Sequence, residues 1–330
     1  MQIRLSIFTF FHYLCLASAS LESFTLDNQS EQNQTVPLLG DELSKTALPS
    51  FASGGLVFFV HIPKTGGTSI RKNLERVERI HYVFAKNYSV YLDTVHLVED
   101  LIASGFPNTN NFTTNGSNNK VLVYEIHAST SPSFYHLRKR LERWRESAAH
   151  YNVPIFFFTV LRSSLSFALS HFNFFHVDHR NKSFENCIPT EENFLRLSLN
   201  NPQCQFLFKG ESSMRAQKCK NLSVTSEECG LVKDSMVELL DWVGTTEKLS
   251  TETLPLLAQL LELPKDVAFE NHRVTAEVMK NKSHYFGIES LTASSLEALK
   301  HMSHLDTNLY SHACKHFPIE MWRGNQCTIT

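Results

Sequence analysis

Short apolar runs punctuate the chain at Leu56–Val60, Val121–Ile126, Ile155–Leu161 and Trp242–Thr246. Their Val, Ile, Phe and Leu content, without strict polar alternation, predicts strands buried on both faces. Stretches with helical spacing lie between them. Ser69–Ile80 sets Ile70, Leu74 and Val77 on one face, with Lys72, Glu75, Arg76 and Glu78 elsewhere, and Arg71 of its first turn is expected to be exposed, the alternative being that it reaches a bound ligand. Phe134, Leu137, Leu141 and Trp144 mark an amphipathic helix whose other side, Arg138, Lys139, Arg140, Arg143 and Arg145, reads as a solvated face partly balanced by Glu142 and Glu146. Leu165, Ala168, Leu169 and Phe172 give the i, i+3, i+4, i+7 stripe of a third helix. Leu97, Leu101 and Ile102 suggest a short helix, Val232–Leu240 another, and Leu254, Leu257 and Leu261 one more, closed by Pro264. Ser294–Phe317 is the last long helical region. Strands alternating with helices predict an α/β fold: a mainly parallel sheet flanked by helices on both faces.

Elsewhere the periodicity fades. Residues 21–53 are polar and read as a stem or linker, with the folded domain running from 54 to 330. Asn108–Asn119 reads as a loop. Asp178–Cys229 is polar and cysteine-bearing, and predicts an irregular insertion around 178–230 on the domain surface. Residues 1–20 combine Arg4, the apolar run Leu5–Leu16 and Ala17-Ser18-Ala19, the pattern of a secretory signal peptide, although a retained signal anchor fits as well. Entry into the secretory pathway has further support. N-x-S/T sequons occur at Asn28, Asn33, Asn87, Asn111, Asn115, Asn181, Asn221 and Asn281. Cysteines 187, 204, 219, 229, 314 and 327 are an even set suited to disulfides, with local pairs 187–204, 219–229 and 314–327 expected.

Composition narrows the function classes. The 330 residues, 42% hydrophobic, suffice for a substantial core. Lys and Arg number 31 against 33 Asp and Glu, so no global basic field points to nucleic acid, and any anion recognition must be local. No C-x-x-C spacing or other convincing ligand cluster calls for a metal.

The local anion site is legible after the first strand. His61-Ile62-Pro63 leads into Lys64, Thr65, Gly66, Gly67, Thr68 and Ser69, and a helical pattern begins there. Adjacent glycines let the backbone approach a ligand, and the N–H groups of a helix start converge with hydroxyls and an ammonium on one spot. This is a phosphate cradle, but not the G-x-x-x-x-G-K-[ST] loop, because the lysine precedes the glycines. The wording HIPKTGGTS resembles the 5′-phosphosulfate loop of sulfotransferases that use 3′-phosphoadenylyl sulfate (PAPS), in particular the Golgi heparan sulfate 2-O- and 6-O-sulfotransferases.

Two further segments are similar to that family. Thr159–Ser170, TVLRSSLSFALS, resembles its 3′-phosphate segment and implies that Arg162 and Ser170 hold that phosphate, although Ser163-Ser164 and Phe167 depart from the usual wording. Tyr124-Glu125-Ile126-His127-Ala128 matches the strand end where the family places its catalytic base, which implies that His127 accepts the acceptor hydroxyl's proton. Glu125, on the same side of the strand, is either its orienting partner or an ordinary residue. Lys64 would stabilise the leaving phosphate. Looser similarity extends over Trp242–Glu247, Leu305–Tyr310 and Lys282–His284. The resemblance implies a lumenal carbohydrate O-sulfotransferase with a sulfotransferase fold, PAPS as co-substrate and no metal. Its partner would be a glycosaminoglycan-like glycan, with membrane contact only through an uncleaved leader, Golgi residence as a type II protein or a soluble secretory form, and a homo-oligomer left open. A catalytically silent glycan-binding relative and a nucleotide-dependent kinase are the alternatives.

Overall fold

A computed structural model describes residues 49–85, 88–105, 121–127, 132–177, 188–210, 223–263 and 285–317. The leader, nearly all of the expected stem, all eight sequons, the loop 108–119, Pro264, Lys282–His284 and Cys187, Cys219 and Cys327 lie outside the described residues.

The predicted α/β architecture is present. Strands β1 (Gly55–His61), β2 (Ile80–Ala85), β3 (Val121–His127), β4 (Ile155–Leu161) and β5 (Trp242–Thr245) form one sheet in the order β2-β3-β1-β4-β5. Every pairing is parallel. The central strand β1 is buried along its whole length, whereas the edge strand β2 is half-exposed over its middle. This is the pattern expected of a sheet whose interior strands are covered on both faces.

Alternation along the strands sorts the side chains between two faces. On one, Phe58 meets Tyr124, Trp144 and Phe157 edge-on, with ring centroids 5.4, 5.6 and 5.7 Å apart. Trp144 belongs to α3 (Phe134–His150), following α1 (Gly67–Leu74) and α2 (Tyr88–Ala103). The basic side of α3 splits: Lys139 and Arg143 are exposed, whereas Arg140 donates to the Tyr91 hydroxyl and Arg145 pairs with Asp241. On the opposite face Phe59 stacks between Phe158 at 4.6 Å and His61 at 5.4 Å. There the apolar stack ends in polar residues near the C-terminal edge of the sheet.

The remaining helices are α4 (Ser164–Phe172), α5 (Glu191–Leu197), α6 (Pro202–Phe208), α7 (Ser226–Leu239), α8 (Leu254–Leu260), α9 (Ala293–Met302) and α10 (His304–His316). Several sequence expectations need correction. The helix expected to reach Ile80 stops at Leu74, and Ile80 opens β2, whose pairing with β3 outweighs the helical spacing. Phe51, placed in the stem, is wholly buried and its carbonyl accepts from Arg79, so core packing begins before residue 54.

The stretch expected to be an irregular surface insertion contains α5 and α6. Cys204, Phe206 and Leu207 are buried in the main core. Asp306 explains why a short helix is stable there: it accepts from the backbone N–H groups of Gln203 and Cys204, two donors of α6's first turn, while Asn201 Oδ1 accepts from Leu305 and Asp306 at the start of α10. The local disulfide pairs are also overturned at two cysteines. Cys204 on α6 is bonded to Cys229 on α7, because the two helices pack together. Cys314 is buried on α10. The last helical region breaks at Ser303 into α9 and α10.

Candidate active site

The sheet order gives a reason to look at one edge. From β1 the chain moves out to β2 and back to β3 on one side, then crosses to β4 on the other. Crevices at such reversals, beyond the C-terminal ends of parallel strands, are where open α/β sheets hold ligands. The Lys64 loop follows β1, His127 ends β3, and Arg162 follows β4: three sequence segments meet at three adjacent strand ends.

The loop is shaped by its backbone. Lys64 has φ 69° and Gly66 φ 95°, both left-handed, and Gly66 is the N-cap of α1. Any Cβ at Gly66 would also lie 2.8 Å from Leu249, so glycine is required there twice over. No side chain caps α1; the Ser69 N–H bonds the Gly66 carbonyl at 2.9 Å, and the Gly67 and Thr68 N–H groups ahead of it stand at the positive end of the helix. Thr65 is wholly buried and donates its hydroxyl to the Ile62 carbonyl at 2.7 Å, so it braces the loop from behind. Ser69 is buried, and Thr68 is half-buried. The Lys64 ammonium sits 3.5 Å from the centroid of Phe174, a cation–π contact from the π-helical turn Asn173–Val177.

Arg162 ties the second segment to the first: its Nη1 donates to the Lys64 carbonyl at 3.1 Å. Its backbone is held by Gln203, which accepts from Arg162 N and donates to Arg162 O. Burial pushes the guanidinium pKa down, against the pull of Glu247, and Nε is buried without a hydrogen-bond partner. A desolvated guanidinium with an orphaned donor fits an anion. Ser170 lies buried on α4, two turns beyond Arg162. Glu247 accepts from Ser163 N at the start of α4 and from the Tyr310 hydroxyl, so the segments Trp242–Glu247 and Leu305–Tyr310 both brace this corner.

His127 is half-buried at the end of β3. Burial first, then the neighbouring His61, lowers its pKa to about 3, with Glu125 opposing and Arg71 adding to the effect. At neutral pH the imidazole is therefore unprotonated, as a base must be.

Beside it lies a network that the sequence reading missed. The wholly buried Glu125 carboxylate accepts from His61 Nδ1 at 2.6 Å, Arg71 Nε at 2.8 Å, Arg71 Nη2 at 2.7 Å and the Tyr82 hydroxyl at 2.6 Å. Burial alone would raise this carboxyl, but His61 and Arg71 more than offset it and hold it at about 2. Arg71, expected to be exposed, instead lies over the Phe84 ring and clamps Glu125. The signal that could have found His61 is register: β1 and β3 both end in histidine, and the two are paired neighbours.

Comparison with known proteins adds little to this geometry. No family model matches the sequence. No curated protein is similar to it either. Among solved structures, the chain is similar to a sulfotransferase from Alicyclobacillus acidocaldarius at 13% identity and a TM-score of 0.39, over 81% of this chain and 98% of that one. Likeness at that level identifies neither family nor activity, and function has to be argued from the site.

Within the site, the structure brings Lys64, Gly66, Gly67, His127 and Arg162 to one edge of the sheet and puts Thr65, Ser69 and Ser170 in the layer behind them. Among the described residues no three His, Cys, Asp or Glu side chains are grouped to hold a metal ion.

Proposed function

We propose that the protein transfers a sulfuryl group from PAPS to a hydroxyl of a glycosaminoglycan-like glycan in the secretory pathway. The observation that carries this is the meeting of the Lys64 loop, His127 and Arg162 at neighbouring strand ends, with the Arg162 guanidinium bonded to the Lys64 carbonyl. A P-loop kinase would place its lysine after the glycines; here it precedes them. PAPS would supply the sulfuryl group and a phosphate as leaving group.

The chain's own residues then divide the work. The first-turn N–H groups of α1 and the hydroxyl of Thr68 bind the 5′-phosphosulfate end, and Arg162, with Ser170 behind it, binds the 3′-phosphate. Lys64 leaves its resting place on Phe174 to stabilise charge developing on the leaving oxygen. His127, neutral, takes the proton of the attacking sugar hydroxyl. A bound polyanion raises the proton affinity of this imidazole, which strengthens it as a base when substrate is in place. Residence in the Golgi lumen, glycosylation and anchoring by residues 1–20 complete the proposal, on the strength of the leader and sequons.

The test is transfer of radiolabelled sulfate from PAPS to a panel of desulfated polysaccharides, beside binding of adenosine 3′,5′-bisphosphate and of ATP with magnesium. Bisphosphate binding with transfer that falls at least about 100-fold in both Lys64→Ala and His127→Ala supports the assignment. Preference for ATP, or absence of bisphosphate binding by folded protein, overturns it.

A further inference from the structure

His61 stands where the strand, the loop and the presumed base of the reaction meet. Its Nδ1 is held 2.6 Å from the Glu125 carboxylate, which fixes the ring plane with Nδ1 as the donor. Its face stacks on Phe59, with planes 16° apart. Its other neighbour is His127, at 4.7 Å between centroids and 87° between planes. The Nε2 end of the ring points at the first turn of α1, where a Cβ on Gly67 would lie 2.2 Å away. One imidazole thus touches the base and the helix start that forms the phosphate loop. A core histidine that only filled space would not need a carboxylate on its Nδ1 and a glycine cut to its outline.

We propose that His61 is a positioning residue: clamped by Glu125, it packs edge-on against His127 and sets the orientation of that ring. The catalytic meaning of this rests on the sulfuryl-transfer function proposed above, but the coupling of the two histidines does not.

The groups that face His127 are His61 from β1, Arg71 from α1, Glu125 from its own strand and Phe84 from β2, with Tyr82 of β2 bonded to Glu125 as a fifth member of the cluster. Tyr82 is neutral, since burial and then the Glu125 charge push its pKa well up. Phe84 lies 6.0 Å from His127 and covers it without charge. Glu125 is the one negative group of the five, and its oxygens are engaged by His61, Arg71 and Tyr82. A proton arriving on His127 would therefore face the Arg71 guanidinium beside a carboxylate whose oxygens are already engaged.

The experiment is a pH titration of the imidazole NMR signals of the whole protein, wild type against His61→Asn and His61→Phe. Asparagine keeps a donor for Glu125 but removes the ring; phenylalanine keeps the ring and removes the nitrogens. In wild type, His127 is expected to stay neutral down to at least about pH 5. In His61→Asn its midpoint should rise at least tenfold in proton affinity, about one pH unit, and in His61→Phe by a similar amount. The acid limb of the transfer rate should move up by the same interval, with KM for PAPS changed less than about threefold. A wild-type His127 midpoint near its ordinary value overturns the proposal, even if neither variant folds. So does a midpoint unmoved in a folded variant. Bisphosphate binding is scored separately: its absence removes the sulfotransferase function and leaves the titration to decide the histidine coupling.

Discussion

Replacing Glu125 with glutamine tests whether the buried network behind the crevice is as strongly coupled as its geometry implies. The carboxylate receives four hydrogen bonds, two on each oxygen, from His61, Arg71 and Tyr82. Glutamine has nearly the same shape but a single acceptor oxygen, and its NH₂ would face donors. The magnitude follows from linkage. The folded carboxyl lies at about 2 against a usual 4.5. Because the folded value is depressed, the associated stability is complete above the unfolded pKa and is lost as pH falls through the folded one. A gap of this size is worth about 3 kcal/mol near pH 7 and roughly half of that near pH 3. Urea unfolding of wild type and Glu125→Gln at both pH values reads it directly, provided the slope m is unchanged. The variant should lose about 3 kcal/mol near neutral pH, and the gap should close by about half at the acid value. A gap below about 1 kcal/mol near pH 7, or one that does not narrow on acidification, would refute the assignment of Glu125 as an ionised, fully bonded anchor.

Other substitutions probe the loop and the helical corner. Gly67→Ala would drive a methyl into the His61 ring, which Phe59 and His127 prevent from yielding; calorimetry should show a loss of about 1–3 kcal/mol, and bisphosphate affinity should drop at least tenfold as the first turn of α1 shifts. Cys204→Ser opens a crosslink spanning 25 residues, which the loop-entropy estimate puts at about 3 kcal/mol. Reductant should bring wild type to the same urea midpoint as the variant, and a variant as stable as the oxidised wild type would remove the bond between α6 and α7.

The parts of this molecule legible in the sequence are those whose partners are near in the chain. Strands β1, β3 and β4 announce themselves as largely apolar runs, interrupted only at Glu125 and Thr159 before their ends, and the loop from Lys64 to Ser69 carries its chemistry within six consecutive residues. The edge strand β2 escaped because Ile80–Ala85 includes the polar positions His81 and Tyr82, half-exposed as an edge allows. Helix α6 escaped because a seven-residue segment has too few turns to show periodicity, and what stabilises it comes from Asp306, over a hundred residues on. Disulfide pairing followed the same rule: proximity in sequence suggested the local partner, and packing of α6 on α7 chose another.

The Glu125 network is the sharpest instance, and it also shows what the missing signal was. Its donors are drawn from β1, α1 and β2, between 43 and 64 residues from the carboxylate, so no local pattern ties them together. Tyr82, Glu125 and His61 reach one face only because parallel register aligns β2, β3 and β1. Once two strands are known to be adjacent and parallel, however, matching their ends is enough to bring His61 beside His127 and to put Glu125 one pleat behind on the same face. A carboxyl buried there must either take up a proton or be met by donors, as the buried Asp306 is by two backbone N–H groups. Glu125 is met by cationic and polar side chains, and the helix that follows β1 is placed to supply one of them. Of the basic residues on that helix, Arg71 sits one turn past the glycines and fills that role. A residue that looked like ordinary surface charge gains a buried partner once the strands are paired.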